Sequence, residues 1–281
     1  MVKFCYILYN FDSLKFLEVY MKNIDNIDLN GISLKAEDLY VVSDFDSTIT
    51  NGDSYGSLDV ITYSKLLGEK YSERHQYIVT EYAEKAKKSS NITLKKDLWF
   101  THLYEYIKLL KDYNLTEELL ENIIKNSNIK FRKGFDKFIS YLHSKKIPLI
   151  IISSGLGNSI ELFLKMNDMY YDNIYIVSNF VDFDSDGKIV NIPKNIVTPV
   201  IKNEAFIDRN LNSIIKKRNN KLIFGDIPDD ICMSKINEHH NTLSIAFDNQ
   251  KYDNSLFDQF DVLTDNSNIF DLLEKSINEA I

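Results

Sequence analysis

Two aspartates, two residues apart, follow a short apolar run early in the chain. The run LYVV leads into DFDSTIT, residues 44–50, so Asp44 and Asp46 stand where a buried strand would end. Like charges at the edge of a core repel each other, and loss of water makes the repulsion worse. A divalent cation removes this difficulty, and Mg²⁺ prefers a few carboxylate oxygens, with water and phosphate completing its shell. The alternative is that both aspartates only cap the next segment.

Two further polar groups follow apolar runs of the same kind. Ser153 and Ser154 come after IPLIII, and Asp226 comes after KLIFG, with Asp229 and Asp230 shortly beyond it. Ligands of open α/β sheets bind beyond the carboxyl ends of the strands, so we expect these groups to meet the first two aspartates there. The alternatives are an ordinary turn serine at 153 and, at 229, a solvated carboxylate in the first turn of a helix.

The apolar runs alternate with segments of helical period. LYVVS, IPLIII, NIYIVS, KLIFG and TLSIAF are nearly continuous in apolar residues, which is typical of strands buried on both faces. Helical periodicity falls over residues 135–146, 159–168 and 229–240. This alternation predicts an α/β fold with a doubly wound parallel sheet.

Residues 54–128 break the alternation and carry only helix signals. One of them is an apolar stripe that follows a candidate N-cap at Thr116. Because this stretch is inserted directly after the first strand, it predicts a helical cap over the edge of the sheet where ligands bind. A helical subdomain that only supports the core is the alternative.

A second irregular stretch covers residues 177–192. Alternating residues on either side of DSDGK predict a β-hairpin with Asp186 and Gly187 at its turn. The three aspartates before this glycine also resemble the start of a calcium loop. Pro193, however, stands where such a loop needs a glutamate, so the hairpin is favoured.

Composition limits the partners and the compartment. The chain has 281 residues and a formal net charge of −8, which argues against a nucleic-acid polymer or a membrane as partner. A small phosphorylated metabolite needs only a local cluster of charge. Cys5 and Cys232 provide neither a disulfide framework nor zinc spacing, and no stretch has the roughly 18 apolar residues of a membrane span. We expect a cytoplasmic protein, monomeric or a small homo-oligomer.

These features together resemble the haloacid-dehalogenase (HAD) superfamily of phosphohydrolases. DFDSTIT, Ser153, Lys202 and GDIPDD match its four motifs in order over residues 40–250: DxDx[TV], a Ser or Thr after the second strand, a Lys and GDxxxD. ISSGLGNSIE, VSNFVDFDSDGKI and VIKNEAF further resemble the cytosolic pyrimidine 5′-nucleotidases of type III, from Tyr40 to the C-terminus.

The resemblance implies a division of the chain. A HAD-like Rossmannoid core would take residues 40–53 and 129–281, and a helical cap would take residues 54–128. Residues 1–39 form an N-terminal extension to which neither the resemblance nor the residue pattern gives a role.

The resemblance also implies a mechanism. Asp44 would be the nucleophile that forms an aspartyl-phosphate, and Asp46 would protonate the leaving alkoxide and then deprotonate the attacking water. Mg²⁺ would be held by Asp44, by Asp226 and by the backbone carbonyl of Asp46. Asp230 would orient the water bound to the metal, or the lysine.

The same resemblance implies a phosphate-binding set. Ser153, with the backbone N–H groups of Ser154 and Gly155, would hold a phosphate oxygen near a helix N-terminus. Lys202 would pair with the phosphate and with the nucleophile. Other lysines stand nearby, so its assignment rests on its place in VIKNEAF.

The cap would bind the rest of the substrate. The candidate contacts are His75, Trp99, Phe100, Thr101, Tyr104 and Glu105. In the nucleotidase family a cap glutamate reads the base amid aromatic residues. Counting back without gaps from Lys133 and Gly134 puts Thr101 in that place, with Glu105 one helical turn away. The departure leaves pyrimidine preference open, and aromatic residues at helical spacing also suit the core of a cap.

The sequence thus predicts a Mg²⁺-dependent phosphomonoesterase, most similar to a 5′-nucleotidase that acts on nucleoside monophosphates. A HAD phosphatase for another small metabolite, such as phosphoserine or a sugar phosphate, is one alternative. A non-catalytic binding protein on the same fold is another, and transfer of the phosphoryl group to an acceptor other than water also stays open. An aromatic cap would favour a base, and a cationic cap a second anionic group.

Overall fold

The computed structural model describes residues 34–203, 206–265 and 268–280. The extension predicted over residues 1–39 therefore lies outside the described residues except for its last part, which leads into the first strand. Within VIKNEAF, Glu204 and Ala205 also lie outside them.

Six parallel strands form the main sheet. They are β1 (Leu39–Ser43), β2 (Leu149–Leu156), β3 (Ile174–Asn179), β6 (Asn220–Gly225), β7 (Asn241–Phe247) and β8 (Val262–Thr264). Their order across the sheet is β3-β2-β1-β6-β7-β8, with β1 between β2 and β6. From β1 the chain adds β2 and β3 on one side and then β6, β7 and β8 on the other. The strand order therefore reverses at β1, and its carboxyl end is the topological switch point.

Both faces of the sheet are covered, as the continuous apolar runs predict. Along β1, Val41 belongs to one buried apolar cluster and Val42 to the other, because successive side chains point to opposite faces. The first cluster contains residues of helices α6 (Phe135–Ser144), α7 (Gly157–Met166) and α9 (Ile269–Glu279), and the second contains residues of α8 (Arg209–Ile215). The doubly wound α/β fold is confirmed.

Five helices lie between β1 and α6. They are α1 (Asp59–Ser64), α2 (Glu69–Ile78), α3 (Glu84–Lys88), α4 (Ile92–Asp112) and α5 (Glu117–Lys125), with a π-helical turn, Val79–Ala83, between α2 and α3. Thr116 is the N-cap of α5, and its side chain accepts from the backbone N–H of Leu119 at 3.1 Å. The predicted helical insertion after the first core strand is confirmed.

The insertion shares its apolar core with the sheet. Its buried residues Ile61, Tyr106 and Leu120 belong to the same apolar cluster as Val41 of β1. Among the described helices, none combines the length and the apolar character that crossing a bilayer requires.

The predicted hairpin is also present. β4 (Asp182–Phe183) pairs antiparallel with β5 (Ile189–Asn191), and Gly187 has a positive φ of 72° in the turn. The Asp184 carboxylate accepts from the backbone N–H groups of Asp186 and Lys188, both at 2.9 Å, so it serves the turn itself.

The helical segment predicted over residues 229–240 is shorter and tighter in the structure. It is a 3₁₀ helix over Pro228–Lys235. The ammonium group of the buried Lys221 side chain donates to the backbone carbonyls of Ser234, in this helix, and of Ile236, just after it.

Candidate active site

Lys202 joins two aspartates beyond the carboxyl edge of the sheet. Its ammonium group donates to Asp44 Oδ1 at 2.5 Å and to Asp230 Oδ1 at 2.7 Å. All three side chains are buried, with Lys202 only 2% exposed. A buried ammonium group is tolerated only when it is paired and hydrogen-bonded, and here two carboxylates satisfy it.

Neighbouring strands bring Asp44 and Asp226 together. β1 and β6 pair in parallel with Ser43 opposite Phe224, and the N–H of Asp44 donates to the carbonyl of Phe224 at 2.9 Å. Each aspartate is the first residue after its strand, so both leave the sheet at the same edge. Asp226 accepts from Thr48 Oγ1 at 3.4 Å.

Asp230 folds back over the loop that follows β6. Its Oδ2 accepts from the backbone N–H groups of Asp226 at 3.0 Å and Ile227 at 3.2 Å. A Cβ at Gly225 would stand 2.5 Å from the Asp230 Cβ, so this approach requires a glycine. The spacing GDxxxD is thus explained by a carboxylate that closes its own loop and still reaches Lys202.

The three carboxylates fit a divalent cation. Asp44, Asp226 and Asp230 each offer one oxygen, and these oxygens lie within 4.8 Å of one another. The Asp230 oxygens accept from Lys202 and from two backbone N–H groups, whereas the hydrogen bond that Asp226 Oδ1 accepts from Thr48 is long, at 3.4 Å, so Asp44 and Asp226 are the better direct ligands. Two carboxylates with room for water and phosphate are a donor set of the kind that Mg²⁺ takes.

Electrostatics support this fit. Burial raises the pKa of Asp226 to about 7, and the Asp230 charge adds to the rise. Burial also raises the pKa of Asp44 well above its ordinary value, although Lys202 opposes the shift. Burial lowers the pKa of Lys202, but the two carboxylates outweigh it and raise that pKa above its ordinary value. One ammonium group does not neutralise three buried carboxylates, so a cation would relieve the remaining repulsion.

Asp46 is held by the segment that leads into the helical insertion. Its Oδ1 accepts from the Ser57 N–H at 2.7 Å and its Oδ2 from Ser57 Oγ at 2.8 Å. Burial raises the pKa of Asp46 to about 6, although both hydrogen bonds lower it. A Cβ at Gly155 would lie 1.9 Å from Ser57 Oγ and 2.9 Å from Asp46 Oδ2, so only glycine leaves room there. A carboxyl group with this pKa can give and take a proton near neutral pH.

Ser153 lies within β2, near Asp46. The position of a Cβ on Gly155 would be 3.2 Å from Ser153 Oγ, which makes the serine and Asp46 neighbours. The Gly155 N–H donates to Ser153 Oγ at 3.0 Å, and the Ser154 carbonyl accepts from Asn179 at 2.9 Å. Ser153, Ser154 and Gly155 therefore line the approach to α7, and their contact with a phosphate stays a prediction.

One face of α4 carries Trp99, which is one of the predicted cap residues, together with two buried side chains. Lys95, Trp99, His102 and Tyr106 are spaced four, three and four residues apart, so they share this face. The ring of Trp99 lies 5.6 Å from that of His102, and His75 of α2 lies 4.2 Å from Tyr106. Buried ring nitrogens of Trp99, His102 and His75 have no hydrogen-bond partner among the described residues.

The other predicted cap residues lie elsewhere on α4. Phe100 and Tyr104 stack on each other at 6.1 Å, and Phe100 is 40% exposed. Thr101 Oγ1 donates to the backbone carbonyl of Asp97 at 2.8 Å, and Glu105 is half-buried. The structure thus brings His75 and Trp99 into one cluster through His102 and Tyr106, and Phe100 and Tyr104 form a stacked pair of their own.

Several contacts of the site were not predicted from the sequence. Ser57 binds Asp46, and Asn249 Nδ2 donates to Asp226 Oδ2 at 3.1 Å. Lys95 of the insertion pairs with Asp229 at 2.7 Å. Asn249 follows β7 closely, so the rule that ligand-binding residues follow strands could have found it. The spacing around Ser57 and Lys95 gives no such signal.

Comparison with solved structures identifies the fold. A crystal structure of cytosolic 5′-nucleotidase IIIB bound to cytidine matches with a TM-score of 0.76 at 21% identity, over 92% of this chain and 90% of that one. A HAD family hydrolase from Salmonella enterica matches with a TM-score of 0.63 at 16% identity, over 94% of this chain and 81% of that one. The fold is that of the HAD phosphatases.

Sequence comparison then identifies the family. Residues 42–280 match the profile of the pyrimidine 5′-nucleotidases (UMPH-1), and the chain belongs to this family. The 7-methylguanosine phosphate-specific 5′-nucleotidase A of Xenopus laevis is 25% identical over 236 residues, 80% of this chain and 80% of that relative. The protein is a 5′-nucleotidase-like phosphomonoester hydrolase.

Proposed function

We propose that this protein hydrolyses nucleoside 5′-monophosphates in a Mg²⁺-dependent reaction, with Asp44 as the group that takes the phosphoryl. The observation that carries the proposal is the position of Lys202, buried between Asp44 and Asp230 with Asp226 beside them. A protein that only bound phosphate would not need buried carboxylates, because they repel it. A nucleophile and its counter-charges explain them.

The first step forms a bond between an Asp44 oxygen and phosphorus and breaks the ester bond. The leaving alkoxide takes the proton of Asp46, whose pKa of about 6 lets part of the population carry one near neutral pH. In the second step Asp46 removes a proton from water while the water oxygen bonds to phosphorus. Phosphate leaves and Asp44 is restored as a carboxylate.

The remaining groups bind and orient. Asp44 and Asp226 would hold Mg²⁺, with the Asp46 carbonyl as the further ligand that the resemblance implies. A Mg²⁺ bound there supplies positive charge that lets an anionic carboxylate and an anionic phosphate approach. Asp230 keeps Lys202 charged and directed at Asp44. Ser153, with the N–H groups of Ser154 and Gly155, would hold a phosphate oxygen.

The helical insertion, residues 54–128, would act as the cap that binds the nucleoside. The face of α4 that carries Trp99 starts at Lys95, whose partner Asp229 adjoins Asp230 of the site. Trp99 is half-buried and offers a ring against which a base can stack. Rings rather than free ammonium groups on this face favour a base over a second anionic group.

The decisive measurement is phosphate release from a panel of substrates with and without Mg²⁺. The panel holds the monophosphates of cytidine, uridine, guanosine and 7-methylguanosine, together with phosphoserine and glucose 6-phosphate. We expect at least one nucleotide to exceed both other substrates in kcat/KM, with activity lost in chelator and restored by Mg²⁺. Asp44→Asn should lower turnover by several orders of magnitude, whereas Asp258→Asn, an exposed aspartate, should not.

Each part of the proposal can fail separately. A preference for phosphoserine or the sugar phosphate would show that the protein is another HAD phosphatase and not a nucleotidase. Full activity in chelator, or an Asp44→Asn variant as active as the parent, would refute the chemistry. Absence of phosphate release from every substrate would favour a binding protein.

A further inference from the structure

Arg132 reaches the site from the chain that returns from the helical insertion. Its side chain is buried, at 7% exposure. Nε donates to the carbonyl of Thr48 at 2.9 Å, and Nη2 donates to the carbonyl of Ser47 at 2.5 Å and to Asn249 Oδ1 at 2.9 Å. The guanidinium carbon lies 4.1 Å from the ring centre of Phe247. These contacts fix the plane of the guanidinium group.

Asn249 connects Arg132 to Asp226 through the two ends of its side-chain amide. Its Nδ2 donates to Asp226 Oδ2 at 3.1 Å and to the Ser47 carbonyl at 2.9 Å. An amide has one donor end and one acceptor end. The Arg132 side chain can only donate, so the end of the Asn249 amide that faces it must be the oxygen, Oδ1. The NH₂ end of Asn249 must then face Asp226. With the amide flipped, oxygen would face a carboxylate and nitrogen would face a guanidinium group, and both contacts would be repulsive.

The same arginine lies where the two connections of the insertion meet. The backbone N–H of Arg132 donates to the carbonyl of Ile49 at 2.8 Å, and Asn51 N–H donates to the carbonyl of Lys130 at 2.8 Å. Ser47, whose carbonyl turns to both Arg132 and Asn249, has a positive φ of 61°. That conformation is costly for a non-glycine residue, so the two side chains that bind the carbonyl stabilise it.

We propose that Arg132 is a positioning residue which, by fixing the Asn249 amide, orients Asp226 for the divalent cation and ties metal affinity to the connections of the insertion. The inference rests on the proposed function, since it takes Asp226 as a ligand of that cation. Groups that orient a metal ligand from behind typically account for about 10- to 100-fold in metal affinity. Among the described residues, the Arg132 side chain donates to Ser47, Thr48 and Asn249 and to none of the proposed metal ligands.

The test is Mg²⁺ binding to the metal-free protein by titration calorimetry, which needs no turnover. We expect Arg132→Met and Asn249→Ala each to weaken Mg²⁺ binding about tenfold or more. If the arginine acts through the amide, the double variant binds Mg²⁺ no more weakly than Asn249→Ala alone. Arg132→Lys keeps the positive charge and loses the planar guanidinium group. Its Mg²⁺ affinity should therefore lie between that of Arg132→Met and that of the parent.

A matched control lies at the other end of the sheet. Arg218 also donates to backbone carbonyls, those of Ala36 and Leu39. Arg218→Met should lower stability to thermal unfolding and leave Mg²⁺ affinity unchanged. In activity assays the Arg132 variants should need more Mg²⁺ for half-maximal rate, with the substrate KM at saturating Mg²⁺ little changed.

The possible failures are distinct. Parent-like Mg²⁺ affinity in Arg132→Lys and Asn249→Ala, or losses that simply add in the double variant, would overturn the inference and leave the proposed function intact. A parent protein that binds no Mg²⁺ and releases no phosphate would overturn both.

Discussion

The ammonium group of Lys95 lies 2.7 Å from the carboxylate of Asp229, a residue 134 positions further along the chain. Lys95 belongs to the first turn of α4 in the helical insertion, and Asp229 directly precedes Asp230, which holds Lys202. The pair therefore ties the insertion to the loop that shapes the carboxylate cluster. Its side chains are 21% and 42% exposed, so water screens it. Pairs of this kind are typically worth about 0.2–1 kcal/mol.

Breaking this pair should weaken catalysis modestly. Lys95→Met and Asp229→Asn should each lower kcat/KM for the preferred nucleotide by about two- to fivefold, and the double variant no further. The loss should shrink at about 1 M salt, because screening already weakens the pair in the parent. Lys108→Met removes an exposed ion pair within α4 itself and should leave the kinetics unchanged. Additive or salt-independent losses would show that the pair does not act as a unit.

Removal of the proposed acid should depend on the leaving group. Asp46→Asn keeps the hydrogen-bonding shape and removes the proton donor, so the rate with a nucleotide should fall by about 10²- to 10⁴-fold. With p-nitrophenyl phosphate, whose leaving group needs no proton, the burst of nitrophenolate should persist while steady turnover slows. Rapid-quench measurement of the burst checks this. Equal losses in burst rate with both substrates would argue that Asp46 acts only structurally.

Gly155→Ala should damage activity more than stability. The new Cβ would stand 1.9 Å from Ser57 Oγ and 2.9 Å from Asp46 Oδ2, so it would displace both groups. A displacement of about 1 Å at a reacting group can cost about 10²-fold in rate. Ser57→Ala combined with Gly155→Ala removes the nearer clash and should recover part of the loss. A single Gly155→Ala variant with parent activity would contradict the geometry.

His75 should make the fold less stable in acid. Burial lowers its pKa to about 4, from an ordinary value near 6.5. Between these two pH values the unfolded chain binds a proton that the folded chain does not, so stability falls as pH falls through this window. The slope from one such histidine is at most about 1.4 kcal/mol per pH unit.

Urea unfolding of the parent and of His75→Gln at pH 7, 6 and 5 isolates this contribution. The carboxylates titrate in both proteins, so the difference between the two curves reports the histidine. We expect the advantage of the parent over His75→Gln to shrink steadily from pH 7 to pH 5. Parallel curves would mean that His75 is not buried in its neutral form.

The parallel sheet, the helical insertion and the main acidic groups could be predicted from the sequence because each has a local signature. An apolar run marks a strand buried on both faces, and Asp44 or Asp226 follows such a run directly. Thr116 marks the start of α5 through a capping interaction that involves only its own turn. In these cases the deciding interaction lies within a few residues.

The arrangement of the aromatic residues on α4 could not be predicted from the sequence. Trp99 and Phe100 are adjacent in the chain, yet one ring packs against His102 and the other is exposed and stacks on Tyr104. A helical period separates the faces of α4 and does not say which face meets α2. The 3₁₀ segment Pro228–Lys235 was likewise predicted as a longer helix. The carbonyls of Ser234 and Ile236 near its end accept from Lys221 of β6, a contact that the local residue pattern does not show.

The sequence by itself thus predicted the chemistry of this chain. Residue type and place after a strand selected Asp44 and Asp226 and indicated a divalent cation, and the family resemblance added Lys202. Only the tertiary structure decided what holds those groups in position. The contacts that do so join segments that are separate in the sequence. They are Ser57 with Asp46, Asn249 with Asp226, and Lys95 with Asp229. Their partners are chosen by how strands and helices pack, which no local pattern of residues encodes.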